Sequence, residues 1–370
     1  MRSPLPALLA ASLLSLAGCT PEPTPDPVAP DAQLTIGVGF EDVTAGSERL
    51  AKIGRELDRV GARGVTIAVG RPDWTAFPWA AHPDAQASSA TTDLVRAAID
   101  ALGADREVTL VIDVLAPRLL EEHPSEAAVD ADGSRSDLFA GAAGYATADI
   151  GDRIVELCGA VAERYRPDRV GLTELFLEDT FSDLDRALYE EVTGEDDWPR
   201  TRSGGIDTEH ASIADFRSQV VADFVGRCDA AAAEHGVGVD MDVRAPWADP
   251  TAGRRESGHD YPQLLAEVDR LTVWNYFTLS DRPPSVSRYL TGGMREQLGD
   301  DIGRVTMSVG LWSGGAENQT EAHDSTVSPA DMAEGVRASL TNGVTAVSVT
   351  PASRMTPEHW DALARLGFRR

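Results

Sequence analysis

The run VGLTELFLED, residues 170–179, decides how the chain is read. It has the pattern of a β-strand over 170–178, in which Glu174 and Glu178 lie four positions apart and therefore on one face. A carboxylate inside an otherwise apolar strand is costly unless it meets a polar cavity, a partner or water. That requirement is met if the run is the fourth strand of a barrel with its acids facing the open mouth.

The flanking sequence supplies the other strands. LTIGVGF (34–40), GVTIAV (64–69) and EVTLVIDVL (107–115) precede it. VGVDMDV (237–243), RLTVWNYF (270–277), RVTMSVGLW (304–312) and VTAVSVT (344–350) follow. Each is succeeded by a stretch with helical spacing of apolar residues, at 47–60, 92–102, 149–165, 212–235, 261–268, 285–298, 328–340 and 356–366. Ser328-Pro329 and Thr356-Pro357 are N-cap and first-turn pairs, and Gly236 is a C-terminal stop. Eight strand–helix pairs in strict alternation predict an α/β fold, a single (β/α)8 TIM barrel over 34–370. Long βα loops follow strands two, three and four, the last holding a further helix at 183–193. An open doubly wound sheet is the alternative. Gly37-Val38-Gly39 lies inside strand one and lacks the third glycine of a dinucleotide loop.

Sixty acidic against thirty-three basic residues give a net charge of −27. This excludes non-specific nucleic-acid binding, which needs a basic footprint, and fits a solubilising surface. Seven histidines are scattered and no Cys/His cluster has zinc-site spacing, so neither a metal nor another cofactor is expected. Cys158 and Cys228 fall in helices, where two buried free thiols are favoured over a disulfide between neighbours.

In such a barrel the chemistry collects at the C-terminal ends of the strands. Here those ends carry Arg71, Asp73 and Trp74 after strand two, Asp113 on strand three, and Glu174 and Glu178 on strand four. Strand five carries Asp240, Asp242 and Arg244, with Trp247 beyond. Strand six carries Trp274, Asn275 and Tyr276, and strand seven ends in Trp312. Of seven tryptophans only Trp360 belongs to an outer helix; Trp79 and Trp198 also fall in loops after strands. Aromatic faces beside carboxylates suit stacking on sugar rings, and packing of the long loops onto the rim is the plainer alternative.

Hydrolysis of a glycosidic bond generally uses two carboxyl groups, one protonated and one ionised. Glu174 and Asp242, on neighbouring strands, are the expected pair, with Glu178 as a further candidate. Crowding raises one pKa, and Arg244 is placed to hold the other ionised. The structural alternative is a salt-bridge network of Arg244 with Asp242 and Glu174. Asp113 is a third acid, placed to orient a neighbour or contact substrate. Arg71, Trp74, Asp240, Trp247, Trp274, Asn275, Tyr276 and Trp312 complete the candidate substrate-binding set.

Two resemblances extend this reading. Arg2, the apolar run 5–16 and Leu16-Ala17-Gly18-Cys19 resemble a bacterial lipoprotein signal with its lipobox. The resemblance implies cleavage after residue 18, lipid on Cys19, a Pro-rich tether over 19–33, and anchoring at the outer face of the bacterial cytoplasmic membrane. TELFLED on strand four, DMDVR on strand five and WNYF on strand six resemble the glycoside hydrolase-like (β/α)8 families of bacterial exported proteins. That resemblance covers the whole barrel. It implies a carbohydrate substrate, a proton donor at Glu174 or Glu178, and Tyr276 lining the sugar site. The chain departs from the common retaining pattern: Thr173-Glu174 replaces Asn-Glu on strand four, and strand seven has no acid before Glu317. The chitinase-like DxxDxDxE signature is absent as well. The expectation is an envelope-tethered, monomeric glycoside hydrolase, with a catalytically silent carbohydrate-binding lipoprotein as the alternative. A non-glycosidic barrel hydrolase is disfavoured for want of a His/Asp metal set.

Overall fold

β-Branched and aliphatic residues alternate along the strand segments, and the parity of that alternation decides what the barrel wall faces. The computed structural model describes residues 28–87, 92–103, 105–314 and 325–369. The leader, Cys19, the tether up to residue 27 and Glu317 lie outside the described residues.

Eight parallel strands close into a barrel: β1 Gln33–Val38, β2 Gly64–Arg71, β3 Glu107–Asp113, β4 Arg169–Thr173, β5 Gly238–Arg244, β6 Arg270–Asn275, β7 Val305–Gly310 and β8 Ala346–Thr350. Each pairs with its sequence neighbour, and β1 pairs with both β2 (Thr35↔Gly64) and β8 (Gln33↔Ala346), so the sheet has no open edge. The main outer helices are α1 Ser47–Val60, α2 Leu94–Leu102, α3 Asp149–Tyr165, α4 Ala211–Ala233, α5 Tyr261–Glu267, α6 Ser287–Leu298, α7 Pro329–Ser339 and α8 Pro357–Ala364. Their starts carry the anticipated chemistry. The Ser328 side chain accepts from the Asp331 amide, and Asp93 accepts from that of Arg96.

The buried core lies between wall and helices. Leu34 and Ile36, Val65 and Ile67, Leu110 and Ile112, Val170 and Leu172, and Leu271 and Val273 all point outward and are fully or almost fully buried. The inward positions differ sharply. Thr35, Gly37, Thr66, Thr109, Gly171, Thr272, Thr306, Ser308 and Ser348 face the lumen. A barrel interior is ordinarily packed with bulky aliphatic side chains. This one is lined by hydroxyls and glycines, and it is open.

Charge closes its lower end. Glu107, Arg169 and Arg270, at the first positions of β3, β4 and β6, meet Asp240 of β5. Arg270 Nη1 lies 2.9 Å from Glu107 Oε1, Arg169 also pairs with Glu107, and Arg169 Nε lies 3.3 Å from Asp240 Oδ1.

Three strand boundaries differ from the expectation. β1 stops at Val38 and Phe40–Thr44 is a short helix. β2 runs on to Arg71, where Trp74–Thr75 turns back antiparallel onto it. β4 stops at Thr173, five residues short of the predicted end, so Glu174, Phe176 and Glu178 do not share a strand face. The loop after β3 contains a hairpin, Ala127–Val129 with Arg135–Ala140, and a short helix, Ala142–Ala146; Asp183–Thr193 is helical as anticipated. Cys158 on α3 and Cys228 on α4 are buried free thiols facing each other, and burial pushes the Cys158 thiol up. Among the described residues no helix is long and apolar enough to cross a membrane.

Candidate active site

The turn that ends β4 makes the site. Thr173 faces the lumen, so plain alternation would bury Glu174 in the outer core with Leu172. Glu174 instead takes φ = +60°, the left-handed region, and its side chain returns to line the cavity. A non-glycine residue held there costs about 1–2 kcal/mol and persists only where its surroundings impose it.

His259 imposes it. This buried imidazole accepts the Arg244 N–H at Nδ1 (3.1 Å) and donates from Nε2 to the Leu175 carbonyl (2.8 Å), tying the turn to the end of β5. Burial drives its pKa down to about 4, which keeps the ring neutral and this tautomer in place. Leu175 and Leu177 are buried beneath the loop, and the Leu177 amide donates to the Ser257 carbonyl (3.0 Å). The apolar alternation of LFL therefore reports an anchored loop.

Three acids surround this turn. Burial, then the charges of Asp113 and Asp242, push Glu174 up to about 7, with Arg244 pulling weakly the other way. No described side chain hydrogen-bonds its carboxyl. Asp242, inward-facing on β5 as expected, is pushed by burial to about 6, restrained by hydrogen bonds from Thr173 and Trp274 Nε1, the latter 3.1 Å from Oδ2. Asp113 faces inward at the end of β3, opposite Thr173 in register. Burial takes it to about 6 against the Leu115 amide and Arg71.

Glu178 is different. Burial opposes its charge, but Arg244, the Ser257 hydroxyl at 2.9 Å and Arg254 at 3.7 Å more than offset this, so its carboxyl titrates below the usual range. Arg244 thus pairs with Glu178, not with Asp242 or Glu174, and its guanidinium lies 4.2 Å from the centre of the Phe176 ring.

The remaining expected residues divide. Trp274 and Tyr276 are stacked at 5.8 Å, Tyr276 meets Trp312 at 5.2 Å, and Phe176 meets Trp274 at 6.4 Å. With Trp247, Phe139 and Leu138 they line a cavity of about 1130 Å³ whose lower part is the open lumen. Asp240 shares the face of Asp242 but belongs to the charged floor, not the mouth. Asn275 points the other way, into the shell, where its amide donates to Ser287 (2.8 Å) and Ser339 (3.1 Å). Trp74 packs edge-on against Phe40 at 5.0 Å, outside the cavity lining. Arg71 stands 3.5 Å from Asp73 and acts on Asp113 without lining the cavity. Trp79 and Trp198 are buried in loop packing against His82 and Tyr189, as the plainer alternative held.

Thr173, Phe139, Phe176 and His259 were not singled out by sequence, since each acts through a loop whose path no local pattern reveals. Among the described residues, one trio offers metal-type ligand atoms close together, His123, Glu126 and Asp149; it does not line the cavity.

No protein-family model and no curated protein sequence matches the chain. Solved structures do. The PgaB (BpsB) glycoside hydrolase domain from Bordetella bronchiseptica superposes with a TM-score of 0.66 at 13% identity, over 92% of this chain and 99% of that one. The catalytic domain of β-amylase from Paenibacillus polymyxa gives 0.61 at 12% identity, over 92% and 98%. α-L-Fucosidase isoenzyme 2 from Paenibacillus thiaminolyticus gives 0.61 at 14% identity; the matched region is 90% of this chain and 48% of the fucosidase, about half its length. At such identities the likeness is one of fold, and the fold is a glycoside hydrolase-like (β/α)8 barrel.

Proposed function

We propose that the protein is a cell-envelope glycoside hydrolase acting on a poly- or oligosaccharide, with Glu174 as general acid and Asp242 as its ionised partner. One juxtaposition carries the reading: a buried, unpaired Glu174 beside a hydrogen-bonded Asp242, in a cavity faced with aromatic rings. Two neighbouring buried carboxyls cannot both ionise cheaply. The anion settles where donors await it, on Asp242, and the proton stays on Glu174.

Glu174 then gives its proton to the leaving glycosidic oxygen. Asp242 acts at the anomeric carbon, by activating water or by direct attack; the anomeric configuration of the first product tells which. Glu178 is excluded as the proton donor by its arginines and instead fixes Arg244 at the rim. Trp274, Tyr276, Trp312 and Trp247 supply stacking faces, and Arg244 a donor for sugar hydroxyls. Export and anchoring through Cys19 belong to the same proposal and rest on the leader sequence.

The test is a screen of the protein against bacterial and plant polysaccharides, reading reducing ends released and product length. Release from at least one glycan is expected, within a narrow pH window between about 6 and about 7, where Asp242 is ionised and Glu174 protonated. Saturable glycan binding with no release on any member would overturn the catalytic reading in favour of a carbohydrate-binding lipoprotein.

A further inference from the structure

Beside the acid lies a donor that nothing in the resting site uses. Tyr145, on the short helix Ala142–Ala146, is 1% exposed, and its phenol oxygen has no hydrogen-bond partner among the described residues. The backbone group acting on that oxygen is the Ala140 amide, itself a donor, so the phenol hydrogen has no acceptor. Buried tyrosines usually find a partner, and a buried polar group without one costs about 1–3 kcal/mol.

Loose packing does not explain it. Arg227 Nη1 donates to the Tyr145 and Ala146 carbonyls (3.3 and 3.0 Å), and the ring packs on Phe224 at 5.3 Å. A Cβ on Gly151 of α3 would lie 2.1 Å from the Tyr145 carbonyl oxygen, so glycine is what allows the helix to approach so closely. The ring is held from three sides. Asp113 and Glu174 are the charges acting on its hydroxyl.

We propose that Tyr145 is a positioning residue for the acid step, its O–H donating a hydrogen bond to the Glu174 carboxylate formed during proton transfer. The inference rests on the assignment of Glu174 as the acid. At rest Glu174 is neutral and the phenol idle. In the reaction the Glu174 O–H bond breaks as a new O–H bond forms on the leaving oxygen, which takes the electron pair of the broken C–O bond. Glu174 is left as a buried anion, with Asp113 and Asp242 repelling it, Arg244 attracting it weakly, and Tyr276 also close by. A preorganised donor aimed where charge develops acts on that anion more than on the resting acid. Tyr145 keeps its own proton throughout.

The test is Tyr145→Phe in the full chain, read three ways. By carboxyl ¹³C NMR, with Glu174→Gln as the assignment reference, the Glu174 titration moves up by about one pH unit, because the anion has lost its donor. The melting temperature stays or rises, since an unpartnered buried hydroxyl is gone. On a cleaved glycan kcat falls at least about tenfold with KM unchanged, and the basic limb of the profile moves to higher pH. An unmoved Glu174 titration overturns the inference, as does a fall in kcat that merely tracks a lower melting temperature. Should the wild type cleave no glycan, the hydrolase reading fails separately, while the titration still decides whether Tyr145 serves Glu174.

Discussion

Replacing Glu174 by glutamine keeps the side chain's shape and removes its proton chemistry, and its effects on rate and stability should run in opposite directions. The carboxyl is moved from 4.5 to about 7, chiefly by burial. Because the folded-state value lies above the unfolded one, Glu174 imposes no penalty below pH 4.5, where it is neutral in both states. The penalty grows as pH rises and is complete above about 7, where the fold must hold a buried anion. At about 1.4 kcal/mol per pH unit, the ionised group costs the fold roughly 3 kcal/mol. Glutamine carries no such charge. Glu174→Gln should therefore match the wild type in denaturant titrations at pH 4 and exceed it by up to about 3 kcal/mol at pH 8, a shift of several degrees in melting temperature. Removing the acid should meanwhile lower turnover of natural glycans about 10²–10⁴-fold, and much less for aryl glycosides whose leaving groups need no proton. Equal stability differences at pH 4 and pH 8 would refute the burial argument. Undiminished turnover of an unactivated glycan would refute the role of Glu174.

Two further outcomes test neighbouring parts of the proposal. Trp274→Phe retains an aromatic face but removes the N–H that Asp242 accepts at 3.1 Å, so the Asp242 anion is less favoured. The acidic limb of the rate profile should move up from about 6, read as kcat against pH, and an unmoved limb would show that Asp242 is not the ionised partner. Cys19→Ser in the full-length precursor should move the protein from the detergent phase to the aqueous phase on extraction of cells. Retention in the detergent phase would show that the anchor, if any, is elsewhere.

How legible the site was depends on how each residue is held. The barrel was readable because an alternation of strands and amphipathic helices eight times over has few other solutions, and closure through β1 and β8 adds nothing a local pattern would contradict. Asp242, Arg244, Trp274 and Tyr276 were readable because a strand sends every second residue to one side. The same rule, applied to β6, would have turned Asn275 outward once Trp274 faced in. Asp240 was correctly placed in azimuth but not in depth, since its distance from the mouth depends on the stagger between strands. Strand four was misread for a physical reason. Leu175 and Leu177 are buried in a loop, and burial gives them the same alternation that a strand would. Neither His259, 85 positions beyond Glu174 in the chain, nor the left-handed turn it holds leaves a local trace.

The hydroxyl-lined lumen bears on how this barrel could be remade. Most barrel interiors are already full, so an engineer who enlarges a side chain there meets overpacking. Here Thr306, Ser308 and Ser348 are buried around unfilled space, and the Thr306 hydroxyl has no partner. Aliphatic replacements at these positions would swap idle polar atoms for dispersion contacts, below the level of Asp242 and without touching the rim. The interior that makes this barrel unusual is thus also where a thermally hardened version of it would be built.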